Sequence, residues 1–507
     1  MLRSSVTLGQ RLSSSVVLAT ALSVSVALAE TPANTGDIST EAGLIERIRG
    51  AIAAAALGEQ IGVSVVDVRS GRALVSHNAN LALNPASNQK LVTAASTLSE
   101  LGADFQIQTG LYGRVEGDAV VSGLYIKGYG DPTLQTADML ALAQQLVARG
   151  IRRVDEVVVD GSYFDDQILP PGFGSQPAEV SPFRAAVAAV SVNANAFTMR
   201  ITPGATAGAP AGIWLDAEGY FALTNTITTA PGGAANVIAS QSPKGDKLAL
   251  RLSGSVPLGI SGVAYKRRVE SPLHYAGYLL VEALRAVRIQ VPRLVRVATM
   301  PKGSALLASH QSPPLAHMLA ALGKDSDNFT AEMLLKVLGA ERVGLPGRTE
   351  NGARVESMVM KRLGLPSTSI MISNGSGLFG DNRIAAAHLT RLLTAMYSDP
   401  GLRPEFVSQL AVAGVDGTLI RRLLQLPAPR IVRAKTGTVD DAIALSGYVL
   451  GRTPERVFAF SVLCNGVRGK QSAARSLADL IAGSIALHLW SERPGSRRAE
   501  PGSATTP

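Results

Sequence analysis

Three short groups of residues in this chain could carry out chemistry together. The first is Ser87-x-x-Lys90 in "LNPASNQKLVTAAS", residues 81–94. On a helix, positions i and i+3 share a face, so this lysine lies beside the serine hydroxyl. If burial or a second cation frees its amine, Lys90 can act as the base that turns Ser87 into a nucleophile. Backbone N–H groups at a helix N-terminus would then stabilise a developing oxyanion. By itself the segment favours an ordinary capped helix with its lysine in solvent; the two groups that follow reverse this, and Lys90 is expected to be buried. Of the eleven lysines, only Lys90 has a serine three positions before it.

The second group is Ser326-Asp327-Asn328, which opens the helical pattern "NFTAEMLLKVLG". A hydroxyl there can pass a proton to a leaving amine, and a carboxamide can hold a substrate carbonyl. Serine and asparagine are equally ordinary helix caps, and S-x-N recurs at residues 76–78 and 191–193. The third group is Lys435-Thr436-Gly437-Thr438 in "RAKTGTVDDA", which holds the only K-T-G triplet in the chain. Glycine on a strand lets another backbone come close, and the lysine and two threonine hydroxyls form a cationic, hydrogen-bonding site suited to a carboxylate. An edge-strand lysine before a bulge is the plainer alternative.

These groups need elements to position them. A helix is expected over 40–58, ending near Gly58, followed by two strands around Ser70-Gly71 and a helix from Ser87 to Gly102. From about residue 105 the chain becomes short alternating runs split by glycine and proline, with one helical pattern in "TADMLALAQQLVARG". Helical texture returns at 271–287 and dominates 313–426; three strand-like runs and a long helix follow. The simplest architecture is one domain, split in sequence, that carries a large β-rich insertion.

With 46% hydrophobic and 17% charged residues, the 507-residue chain can bury sizeable cores, in roughly two to four domains. The first 29 residues read as a secretory signal: Arg3 and Arg11, an apolar run, then the small-residue site Ala27–Ala29. Those two arginines belong to the net charge of +9, so the rest of the chain stays basic. That surplus is compatible with peripheral association with an anionic envelope. A basic run interleaved with aromatics is lacking, which argues against nucleic acid as a partner. The single cysteine, Cys464, excludes an intramolecular disulfide and a zinc cluster, and its apolar strand context argues for simple burial. The six histidines show no HExxH spacing, and no cofactor is implied.

Taken in order, serine-lysine, SDN and KTG resemble the motif set of penicillin-binding proteins and serine β-lactamases. Ser326 follows Ser87 by 239 residues. With that long interval, the chain resembles the D-alanyl-D-alanine carboxypeptidase/endopeptidase family, the low-molecular-mass class C penicillin-binding proteins. "GYGDPTL" (128–134), "NGSGL" (374–378), "AGVDGTL" (413–419) and "KDSDNFTAE" extend the likeness over nearly the whole chain after the signal. The resemblance implies an α+β fold: a β-lactamase/transpeptidase-like catalytic domain, with an antiparallel sheet flanked by helices, split by a nested, β-rich two-domain insertion. The expected boundaries are a signal peptide at 1–29, a catalytic domain at 30–104 plus 296–490, and a disordered tail at 491–507. Domain II is expected at 105–170 plus 240–295, with domain III innermost at 171–239.

The resemblance also implies a chemistry, serine DD-peptidase action on peptidoglycan stem peptides in the periplasm or another extracytoplasmic space. Ser87 would attack the carbonyl of a D-Ala-D-Xaa bond with Lys90 as base, and Ser326 would pass a proton to the leaving group. Asn328 would bind the acyl-side amide. Lys435, Thr436 and Thr438 would hold the terminal carboxylate, with Gly437 giving clearance. β-Lactams would acylate Ser87 as covalent inhibitors. Where the family has its middle glycine, its acidic residue, its arginine and its tryptophan, this chain has Tyr129, Asn374, Gly380 and Phe173. Asp131 reads as a turn residue, and Asp416 as a loop or helix-start residue near the cleft. A non-catalytic peptidoglycan-binding scaffold, and a β-lactamase or esterase, are the alternatives.

Overall fold

The computed structural model describes residues 37–176, 178–365 and 370–491. The expected signal peptide, and the expected tail beyond Ser491, lie outside them. Packing divides the chain into two units. The first holds the described residues up to Ala103, Leu319–Ser326 and the chain from Glu356 onward; the second holds Asp104–Met318 and Asp327–Val355.

In the first unit, helix α1 (Glu41–Ala55) leads into strands β1 (Ile61–Asp67) and β2 (Ala73–His77), then helix α2 (Gln89–Leu101). After the second unit's residues come α3 (Ala386–Ser398), β3 (Ala411–Val412), β4 (Val432–Val439), β5 (Ala442–Leu450), β6 (Val457–Asn465) and α4 (Gln471–Ser491). The strands form one antiparallel sheet in the order β3-β4-β5-β6-β1-β2, so the start of the chain pairs with its end. Both faces of β5 and β6 are covered, which is why they read as continuous apolar runs. Phe458, Phe460, Ile443 and Val63 pack in one core with Leu44 and Ile48 of α1 and Leu477 and Ile481 of α4. Each such side chain contributes roughly 1.5–3 kcal/mol by burial.

The other face carries a polar row. Lys435, Ser446, Ser461 and Ser64 are register partners across β4, β5, β6 and β1. Ser446 and Ser461 are hydrogen-bonded at 2.8 Å, and Ser64 meets Thr390 of α3 at 2.8 Å. Strand alternation therefore sends Lys435 to the buried face opposite α1 and α4. Cys464 is fully buried between Ile61 and Ile443, and burial pushes its thiol pKa up to about 12, as expected of a structural cysteine.

The second unit has a mixed sheet in the order 295–297, 157–160, 119–128, 108–116 and 305–311, with Arg153–Val154 at its side. Two three-stranded sheets are built from residues 196–268. The strands Lys247–Pro257 and Val263–Arg268 pair with Phe221–Ala230 and Ala196–Thr202, so this inner region extends past the expected limit of 239. Helix Asn328–Arg342, expected in the catalytic domain, packs with this unit instead. A buried ion pair, Lys336 to Asp165 at 2.5 Å, and a hydrogen bond from Tyr163 to Glu341 tie it there. Asp131 is the turn residue it reads as: its Oδ1 accepts the N–H (2.7 Å) and hydroxyl (2.6 Å) of Thr133. Tyr129 packs edge-on against Tyr163, and Phe173 is buried.

Candidate active site

Ser87 does not cap α2. It sits one turn earlier, in a 3-10 turn spanning Ala86–Asn88. Asn88 takes the N-cap position without a side-chain capping bond and sends its amide to the Lys435 carbonyl (3.0 Å). Ala86 has φ +47°, a left-handed conformation costing a non-glycine residue roughly 1–3 kcal/mol. The solvated-lysine reading fails as well. Lys90 is fully buried, and its Nζ donates to Ser87 Oγ at 3.1 Å and to the Ser376 carbonyl at 2.7 Å.

The loop that supplies that carbonyl departs from the family pattern at Asn374 and Gly380, and both departures are accommodated. Asn374 Oδ1 accepts from Gly377 N (2.9 Å) and Asn382 Nδ2 (2.8 Å), while its own Nδ2 donates to the Leu378 carbonyl (2.9 Å). A Cβ at Gly380 would meet Ser373 Oγ and lie 2.5 Å from Asn374 Nδ2, so the loop as built here leaves room only for glycine. Thr93, one turn beyond Lys90, donates to the Gly375 carbonyl at 2.8 Å. Ser376 and Asn88 were not among the expected site residues. Ser376 acts through its backbone, which leaves no sign in residue type, and Asn88 differs from an ordinary cap only through a strand far along the chain.

Gly377 makes a measurable demand. Its φ is +76°, and a Cβ there would lie 1.9 Å from the Ala86 carbonyl oxygen. Gly377→Ala is expected to cost about 1–3 kcal/mol in chemical denaturation and to slow acylation with Ser87 and Lys90 intact. Gly483→Ala, where a Cβ meets nothing within 4 Å in α4, should cost nothing. Equal stability of the two variants would refute this packing.

Ser326 is likewise freed from capping duty. Asp327 is the N-cap, its Oδ2 accepting from Thr330 N (2.8 Å) and Thr330 Oγ1 (2.6 Å). Ser326 has φ +59°, and its hydroxyl accepts a hydrogen bond from Lys435 Nζ at 2.8 Å. Lys435 is fully buried and donates also to the Thr436 carbonyl (2.8 Å). Burial first, and the positive charge of Lys90 second, push its pKa well below that of a free lysine. Two buried ammonium groups repel, and the repulsion is relieved when one is neutral. A Cβ at Gly437 would lie 2.9 Å from the Pro85 carbonyl and 3.0 Å from Ala86 Cβ, so the glycine provides the close backbone approach expected of it.

Ser87–Lys90 and Ser326–Lys435 are thus two hydrogen-bonded pairs within one unit, the charge of Lys90 acting on Lys435, with Thr436, Gly437 and the exposed Thr438 following on β4. Thr436 Oγ1 is 2.8 Å from Thr418 Oγ1. Asn328 belongs to the other unit, where its amide donates to the Phe183 carbonyl at 3.0 Å. A cavity of about 360 Å³, lined in part by Asn84, Arg383, Val439 and Asp441, opens at the end of β4 beyond Thr438. The arrangement has what acyl transfer requires: a nucleophile touching a buried amine, and a second hydroxyl touching another.

A model of the D-Ala-D-Ala carboxypeptidase 3 (S13) family matches residues 44–484 of this chain. The D-alanyl-D-alanine carboxypeptidase of Actinomadura sp. (strain R39) is 34% identical over 463 residues, covering 87% of this chain and 84% of that protein. The D-alanyl-D-alanine carboxypeptidase DacB of Haemophilus influenzae is 23% identical, over 81% of this chain and 86% of that one. The crystal structure of penicillin-binding protein 4 from Haemophilus influenzae superposes with a TM-score of 0.71 at 21% identity, covering 89% of this chain and 99% of that one. That last likeness concerns the fold.

Proposed function

The chain belongs to the D-Ala-D-Ala carboxypeptidase 3 (S13) family and is a serine-type DD-carboxypeptidase, and on that premise we propose how its residues divide the reaction. The observation that carries the proposal is the buried Lys90 amine 3.1 Å from Ser87 Oγ. With Lys90 neutral, the same contact runs in reverse: Ser87 Oγ attacks the carbonyl carbon of the D-Ala-D-Xaa bond as its proton passes to Lys90 Nζ. The oxyanion is held by the N–H groups of Ser87 and Thr438. The C–N bond then breaks as the proton that Lys90 received is passed to the departing amine by way of the Ser326 hydroxyl, which gives up one proton and takes one back. Water hydrolyses the Ser87 ester and releases the shortened peptide.

In this reading Lys435, Thr436 and Thr438 hold the terminal carboxylate. β-Lactams acylate Ser87 in the same way, and the residues before Glu30 act as an export signal that delivers the enzyme to the peptidoglycan. In this reading residues 105–295 form the nested insertion.

Digestion of purified sacculi tests this. The expected product is free D-alanine, with monomerised cross-links measuring any endopeptidase action, and pretreatment with penicillin should abolish both. Sacculi left unchanged would overturn the reading in favour of a scaffold. Rapid turnover of penicillin, with no D-alanine released, would favour a β-lactamase.

A further inference from the structure

The segment "AGVDGTL" (413–419) has no part in the reaction as described, yet it touches the carboxylate site. Between β3 and the 3-10 turn Gly417–Leu419 it forms a short loop with two anchors. Lys324, two residues before Ser326, donates to Asp416 Oδ2 at 2.7 Å and to the Leu410 carbonyl at 3.1 Å. The other Asp416 oxygen accepts from Val412 N at 2.8 Å. Burial would raise the pKa of this carboxyl, but the bonds from Lys324 and Val412 outweigh it and hold the group below the usual aspartate range, so Asp416 stays charged near neutrality. Gly417 has φ +54°, and a Cβ there would lie 2.6 Å from the Lys324 carbonyl, so the loop lies directly against the Ser326 segment.

The latched loop ends at Thr418, whose hydroxyl sits 2.8 Å from that of Thr436. Two hydroxyls in contact hold two protons, of which one bridges them and the other is free. Thr436 is 9% exposed whereas Thr418 is exposed, so the free proton is best placed on Thr418. A hydroxyl that accepts one hydrogen bond also becomes a stronger donor. We infer that Thr418 is a further substrate-binding residue, donating a hydrogen bond to the terminal carboxylate of the D-Ala-D-Xaa substrate, and that the Lys324–Asp416 pair positions it. The inference rests on the reading of Thr436 as part of the carboxylate site, to which its hydroxyl then contributes through Thr418.

The test compares two D-alanyl thioesters, identical except that one ends in a carboxylate and the other in its methyl ester. Wild type is expected to prefer the acid in kcat/KM. Thr418→Val keeps the shape but removes the O–H. It should reduce that preference about tenfold, mainly through KM for the acid, with the ester turned over at the wild-type rate. Thr418→Ser should restore the preference, and Asp416→Asn should lose part of it. A general packing role would lower both substrates together, and that outcome would overturn the inference. So would a Thr418→Val enzyme that keeps the wild-type preference, which leaves the proposed function standing. A wild type indifferent to the carboxylate would overturn the reading of the Thr436 site and the inference with it.

Discussion

Ser87→Ala is expected to abolish covalent labelling by a fluorescent penicillin and to lower DD-carboxypeptidase activity by about 10⁴-fold or more. The substitution removes one oxygen from a half-buried turn, so the fold should survive. Lys90 loses a single hydrogen bond and keeps the one to the Ser376 carbonyl at 2.7 Å. Residual substrate binding should persist, because the carboxylate site on β4 is untouched. Thermal unfolding measured alongside labelling separates loss of the nucleophile from loss of the fold. A folded Ser87→Ala protein that still forms the covalent adduct would overturn the assignment.

Removal of the base comes second in size. Lys90→Met keeps an unbranched apolar chain of similar length at a fully buried position, so no large cavity opens. Acylation is expected to slow by about 10²–10⁴-fold, the usual range for a lost general base. The same change removes the charge that helps depress Lys435, so Lys435 should hold its proton to higher pH than in the parent enzyme. The remaining slow acylation should therefore show a shifted pH profile rather than a uniformly scaled one. Labelling within tenfold of wild type, with Ser87 intact, would show that the proton leaves by another route.

Much of this site was legible in the chain. Ser87, Lys90, Ser326 and Lys435 stand out because a particular chemistry needs those residue types, and their order with a long interval between the first two motifs distinguished among related architectures. The hairpin and helix at the front, and the three strands and long helix at the back, were equally plain, since periods of 2 and 3.6 follow from backbone geometry alone. The limits of the inserted region were less plain. Strand pairing across 196–268 and the attachment of helix 328–342 through Lys336 and Asp165 depend on partners far away in sequence.

The sequence by itself determined the candidate nucleophile, its candidate base, the split organisation and the family. Only the tertiary structure decided that Ser87 and Ser326 are free of capping, that the buried Lys90 is held by the Ser376 carbonyl as well as Ser87, and that Asn374 and Gly380 are compatible departures. Capping depends on which of several adjacent polar side chains wins a local competition, and Asp327 wins it for the helix after Ser326. Burial of Lys90 and Lys435 depends on elements nearly 350 residues apart closing on one another, as the hydrogen bond from Asn88 to the Lys435 carbonyl records. Residue type and spacing carry local geometry, but the electrostatics that make a lysine into a base arise only when distant segments exclude water around it.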